Sequence, residues 1–205
     1  MKSQILRSML EDAGLRVAQD IRSGDIALFP SQDAFWLLRL FVQLVGMKYY
    51  HAGLLSVNPL GNVILYDAVW PHVSCRRIYS DELAKLDIFR YFAWTEEIGD
   101  AAVWYAQNSW AQEEPYSIPK AVLGGLNWIW RKIKRWLGME IGMQDLFCSE
   151  GVCYWLEKGG AKEICVGIHY PMPDDIAKSD RTVPIDEWIP FEGAKDEGRM
   201  DQREG

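Results

Sequence analysis

Cys148, in "DLFCSEGVCYWLEKGG" (145–160), heads a run with helical apolar spacing: Val152, Trp155 and Leu156, closed by Gly159 and Gly160. A thiol attacks carbonyl carbon only as its thiolate, and an unperturbed thiol with a pKa of about 8.5 is mostly protonated at neutral pH. A helix N-terminus and an adjacent imidazolium both favour the thiolate. Glu150, in the same turn, opposes it unless its side chain points away.

An imidazole must come from one of three histidines. His72 lies in the loop-like "WPHVS" and His169 precedes prolines in "GIHYPMP"; both read as structural. His51 opens the strand-like "HAGLLSV", followed after "NPLG" by a second strand, "NVILYDAV". Period-2 alternation puts His51, Gly53, Leu55 and Val57 on one face, and Val63, Leu65, Asp67 and Val69 on one face of the next strand. A hairpin centred on Pro59 sets His51 directly opposite Asp67. An acid inside an apolar strand needs a partner, and His51 would supply it. Asp67 would then hold one ring nitrogen and leave the other for a thiol. The alternative is a packed thiol at Cys148 and a hairpin-edge acid at Asp67. Cys153 lies about 140° round the helix from Cys148, and Cys75 and Cys165 read as packing residues.

The elements that must position these groups are legible in outline. An amphipathic helix is expected in 1–20, with Ile5, Leu6, Met9, Leu10, Ala13 and Val17 on one face. Strands are expected at 25–29, 49–57, 62–69, 74–79 and 87–92, with an almost wholly apolar helix at 33–46 that is either buried or leans on something apolar. Helices follow at 95–112, 121–137 and from Cys148, and a further strand near "EICVGI" (163–168). Strands in the first half and helices in the second give an α+β pattern. One domain is expected over 1–192, with its core in 22–170 and a charged, disordered tail at 193–205.

The net charge of −7 argues against a general nucleic-acid binder. No signal peptide or membrane span is evident in the sequence, which points to a reducing cytoplasm and to free thiols rather than a disulfide framework. No CxxC pair is present, so a structural zinc site is not expected. Residues 120–139 hold five bases and no acids, about +5 against −12 on the remainder. In "LGGLNWIWRKIKRWLG" (123–138) Leu126, Ile129, Trp130, Ile133, Trp136 and Leu137 share a face, away from Arg131, Lys134 and Arg135. Such a helix rests either on the protein's own core or, peripherally, on an anionic membrane surface.

Taken in order, "GDIALF", "YYHAGLL", "VILYDAV", "EPYS" and "LFCSEGV" resemble the circularly permuted NlpC/P60 papain-like proteins, the YiiX/YaeF-like group, and more distantly the lecithin:retinol acyltransferase-like proteins. The resemblance covers roughly residues 22–160. It implies a papain-like fold, a small antiparallel barrel-like sheet packed against helices. It also implies Cys148 as nucleophile, His51 as general base and Asp67 as the orienting residue, where that group commonly has glutamate. Tyr116 matches the family's "PY" segment and would line the pocket or assist an oxyanion; Ser117 stands where an aspartate often follows. The implied activity is that of a cysteine hydrolase working through a thioester on a peptide, a cell-wall fragment or an acyl-lipid linkage. The alternatives are a membrane-surface acyltransferase or lipase of the same fold, and a catalytically inactive binding module. This chemistry requires no metal or organic cofactor.

Overall fold

The computed structural model describes residues 21–34, 36–44, 46–115, 148–166, 168 and 171–185. The expected helices at 1–20 and 121–137, Tyr116, His169 and the 193–205 tail lie outside the described residues. Among the described residues six strands are present: β1 (Ile26–Pro30), β2 (Tyr49–Val57), β3 (Val63–Ala68), β4 (Val73–Arg77), β5 (Asp87–Tyr91) and β6 (Thr182–Pro184). They form one antiparallel sheet in the order β4-β3-β2-β1-β5-β6. The sheet is open, with β4 and β6 as its edges, which corrects the expectation of a barrel-like closure.

Alternation divides the sheet's apolar residues between two faces. Ile26, Leu28, Ala52, Leu54, Tyr66 and Ala68 pack under two helices, α3 (Glu96–Ala111) and α4 (Cys148–Lys158). Ala27, Phe29, Leu55, Val63 and Leu65 face the other way, against Ile78, Leu83 and Ile88. Trp155 of α4 is fully buried, and its indole donates to Ser109 Oγ of α3 at 3.0 Å, satisfying a polar atom that burial would otherwise penalise. The end of α4 lies so close to α3 that a Cβ on Gly159 would sit 2.7 Å from the Ala102 nitrogen.

The β2–β3 connection is a tight turn at Asn58–Gly61. Gly61 takes φ +75°, and Asn58 Oδ1 accepts from the Leu60 and Asn62 N–H groups at 3.0 and 2.9 Å. Cross-strand pairs Leu54↔Tyr66 and Leu55↔Leu65 centre this hairpin on Leu60, not Pro59. The side-chain face of each residue is unchanged, because the shift is by two positions, but the partners differ.

Two sequence expectations give way to tertiary packing. Helix α1 (Trp36–Leu44) is not buried all round: Val42 is buried, while Trp36, Leu40 and Leu44, four residues apart, are exposed. Where a strand was expected at 163–168, residues 164–166 form a turn, with Ile164 and Cys165 buried without ladder pairing. The sixth strand is instead the three-residue Thr182–Pro184 on the edge beside β5, where a proline is tolerated. The short helices α2 (Ser80–Leu83) and α5 (Pro173–Ala177) lie in segments too brief for a periodicity signal.

Candidate active site

The ladder between β2 and β3 ends at Leu54↔Tyr66, and the site is built where the two strands part. Leu55 N–H donates to Asp25 O at 2.7 Å, so odd-numbered residues of β2 bond toward β1 and even-numbered ones toward β3. Ala52, the next even residue beyond the ladder's end, donates its N–H instead to the sulfur of Cys148. The Ser149 N–H, in the first turn of α4, donates to the same sulfur. Two main-chain donors therefore point at the thiol, one from the sheet and one from the helix that bears it.

His51 and Cys148 are hydrogen-bonded to each other, and both are buried or nearly so. On the far side of the ring, His51 Nε2 lies 2.9 Å from Asp67 Oδ2. That contact leaves Nδ1 as the ring nitrogen for the thiol. The second Asp67 oxygen, Oδ1, accepts from the hydroxyl of Ser74, its cross-strand partner on β4. The Phe29 ring, opposite His51 on β1, lies 5.1 Å from the imidazole and walls it on one side. A continuous chain thus runs Ser74–Asp67–His51–Cys148 across three strands and a helix N-terminus.

The electrostatics follow from this chain. Burial raises the Cys148 pKa, but the His51 charge and hydrogen bond, with the Ala52 and Ser149 N–H groups, outweigh it and hold the thiol below its ordinary value of 9.0. The net shift is downward despite Glu150 in the same turn. Burial lowers the His51 pKa, but the Cys148 charge, the Asp67 hydrogen bond and the bond to Cys148 overcome it and push the ring up to about 10. Between these limits the favoured form is a thiolate–imidazolium pair, a nucleophile already deprotonated before substrate arrives.

Of the residues singled out from sequence, the structure brings Cys148, His51 and Asp67 together. Tyr116 lies outside the described residues. His72 is exposed and bridges to Pro115, away from this chain of contacts. Ser74 and the Ala52 N–H went unread in the sequence. Ser74 was accessible in principle, since a register centred on the Asp67–Ser74 pair would have placed its hydroxyl beside the acid. All four cysteines are free thiols. Among the described residues no group of three His, Cys, Asp or Glu side chains is placed to hold a metal ion, and no helix is long and apolar enough to cross a membrane. No family model, curated protein or solved structure matches the chain.

Proposed function

We propose that this chain is a cysteine hydrolase of the permuted papain-like kind, cleaving an amide or related acyl linkage through a thioester on Cys148. The observation that carries the reading is the Cys148–His51–Asp67 arrangement, with two backbone N–H groups on the sulfur and the thiol pKa drawn down. A buried thiol kept only for packing needs none of these partners.

The chemistry runs as follows. The Cys148 thiolate attacks the substrate carbonyl carbon, and the carbonyl π electrons move onto oxygen. The Cys148 N–H, at the helix start, is the donor assigned to that oxyanion. Because the resting ring is already imidazolium, its first task is that of an acid: Nδ1 protonates the departing amine as the C–N bond breaks, leaving a thioester. Neutral His51 then takes a proton from water, whose oxygen attacks the thioester and expels the thiolate. Asp67, fixed by Ser74, holds the ring in the tautomer and orientation that both steps use.

A second reading, acyl transfer at a lipid surface, is favoured by one specific feature. Trp36, Leu40 and Leu44 present an exposed apolar stripe on α1, and the basic aromatic segment 123–138 offers a second membrane-compatible element in the sequence. The two readings share the nucleophile and differ in the acceptor, water or an amine.

The test is trapping of the acyl-enzyme. Incubation with short peptide amides, acyl esters and phospholipids, followed by intact-mass measurement, is expected to show a hydroxylamine-labile acyl group on Cys148. It is expected to be absent in Cys148→Ala and slowed by about 10²–10⁴ in His51→Ala. An unmodified Cys148 with every acyl class, together with an ordinary thiol pKa, would leave only a binding module.

A further inference from the structure

The chain returns onto α4 at two described points, Ile164 near its last turn and Pro171 near its first. The Ile164 N–H donates to Glu157 Oε1 at 3.2 Å near the helix end. Near the helix start, Ser149 Oγ donates to the Pro171 carbonyl. Cys153 Sγ, midway between these ties on the helix, and Cys165 Sγ, next to Ile164 on the returning segment, stand 3.8 Å apart. Both residues are buried, at 6 % and 5 % exposure, and both are free thiols in the same apolar cluster.

We propose that Cys153 and Cys165 form a cystine-forming modification site, whose disulfide staples the returning segment to the helix that carries Cys148. Three observations converge on it. The sulfurs already touch, so a bond of about 2.05 Å needs a closure of under 2 Å, within the reach of side-chain rotation. The two backbones are held in this alignment from both sides by the Glu157 and Ser149 ties, so the native fold sets the thiols' relative placement. The other two cysteines have different partners, Cys148 with His51 and Cys75 with Tyr66, and take no part in this contact.

The reaction is two-electron thiol–disulfide exchange with a low-molecular-weight disulfide, oxidised glutathione serving as the example. One cysteine, as thiolate, attacks the glutathione disulfide and expels one glutathione thiolate. The second cysteine attacks the mixed disulfide and expels the other, closing Cys153–Cys165. Two cysteine protons and two electrons leave, and two glutathione thiols are formed. The hydrogen bond to Cys165, and then burial, hold the Cys153 thiol well above its ordinary pKa. Exchange on the closed native state is therefore slow, and the bond forms during folding or local opening. The closed loop spans only twelve residues in sequence, so the staple constrains the unfolded chain as well as the helix.

The experiment uses the full chain carrying Cys148→Ser, which removes the reactive thiolate without touching the pair. The chain is refolded from urea across ratios of reduced to oxidised glutathione, free thiols are alkylated, and the products are digested and mapped. A peptide pair joined through Cys153 and Cys165, with Tm raised by roughly 6–12 °C over the reduced form, is the expected result. Alkylation of both residues at every ratio overturns the site, as does a linked form whose Tm is unchanged or lower. A disulfide that maps to Cys75 overturns it too. A Cys153→Ser chain that folds should lose the glutathione-dependent rise in Tm. The mapping does not depend on that variant, nor on the chain's having any acyl-transfer activity.

Discussion

His51 and Asp67 are bonded at 2.9 Å although they are not cross-strand partners. Extending the Leu54↔Tyr66 pairing places Asp67 opposite Gly53, so His51 reaches the acid on the diagonal, across a residue with no side chain. A Cβ at Gly53 would come 3.2 Å from the Asp67 Cβ and 2.6 Å from Leu65 Cδ1. Leu65 has a flexible end and can yield; the Asp67 Cβ and the Tyr66 carbonyl oxygen, 3.1 Å away, move only with the β3 backbone, and that shift carries the Asp67 carboxylate with it. Gly53→Ala is thus expected to cost about 1–3 kcal/mol of stability and to raise the apparent pKa of Cys148 toward 9.0. Urea unfolding and the pH profile of iodoacetamide alkylation, mapped to Cys148, give the two readouts. An unchanged alkylation profile would mean that Asp67 keeps its place with a methyl group beside it.

Asp67 and Ser74 should be separable by size of effect. Asp67→Asn keeps the shape but removes the charge that stabilises the imidazolium and lets the ring adopt the wrong tautomer. Turnover of any identified acyl substrate is expected to fall by about 10²–10⁴. Ser74→Ala removes one hydrogen bond to a carboxylate, typically about 1.5–3 kcal/mol, so a loss of roughly ten- to hundred-fold is expected. Ser74→Thr, which keeps the hydroxyl, should recover most of it. If Ser74→Ala matched Asp67→Asn, the hydroxyl would have a role beyond orienting the acid.

Where the sequence was legible and where it was not follows from which forces act locally. Strands β2 and β3 are apolar on both faces, yet the two-residue period of any strand still puts His51 with Leu55 and Asp67 with Leu65, so their shared face could be read from period alone. The register could not, because Asn58 and Gly61 set the turn through hydrogen bonds and a positive φ that a string does not display. The exposed stripe of α1 escaped for a similar reason: its residues are apolar on nearly every side, and which side faces out is decided by neighbours. The 163–168 strand failed because Ile164 and Cys165 satisfy burial against α4 without needing a ladder. Cys148 at a helix start was visible; the Ala52 N–H aimed at it exists only because β2 and β3 part company.

The thiolate–imidazolium pair predicts a particular shape for stability against pH. His51 is raised from 6.5 to about 10, so its contribution is complete below 6.5 and is lost as pH climbs through 10. Cys148 is lowered from 9.0, so its contribution is complete above 9.0 and is lost as pH falls through its folded value. Above 6.5 and above the folded value of Cys148, up to about 9, the folded and unfolded chains each hold one proton on this pair, and the pair contributes no slope. Stability from this source is therefore expected to be flat over that interval and to decline above it, as unfolded Cys148 ionises while His51 stays protonated in the folded chain. Subtracting the profile of Cys148→Ser from that of the parent chain isolates the pair. A difference curve that rises steadily through pH 6.5–9 would contradict the ion-pair assignment.

Outside the Ser74–Asp67–His51–Cys148 chain, Asp25 and Arg90 form a buried ion pair, 0 % and 1 % exposed, with Arg90 Nε at 2.6 Å and a terminal nitrogen at 2.8 Å from the carboxylate. The Arg22 N–H supplies a further donor at 2.7 Å. Burial pushes the Asp25 carboxyl up against these partners, so its charge is held at a cost that Arg90 offsets. Arg90→Met strands that charge, and a loss of about 3–5 kcal/mol is expected at pH 7. Removing both charges, as Asp25→Leu with Arg90→Met, should cost less than the single change, because no ion is left without a partner. The sign with pH also follows. In Arg90→Met the Asp25 pKa moves further upward, and a protonated carboxyl needs no counter-charge, so the deficit should shrink as pH falls from 7 to 5. Urea titrations of the three chains at both pH values read out all of this. A single-mutant loss below about 1 kcal/mol would place the pair among contacts that water can replace.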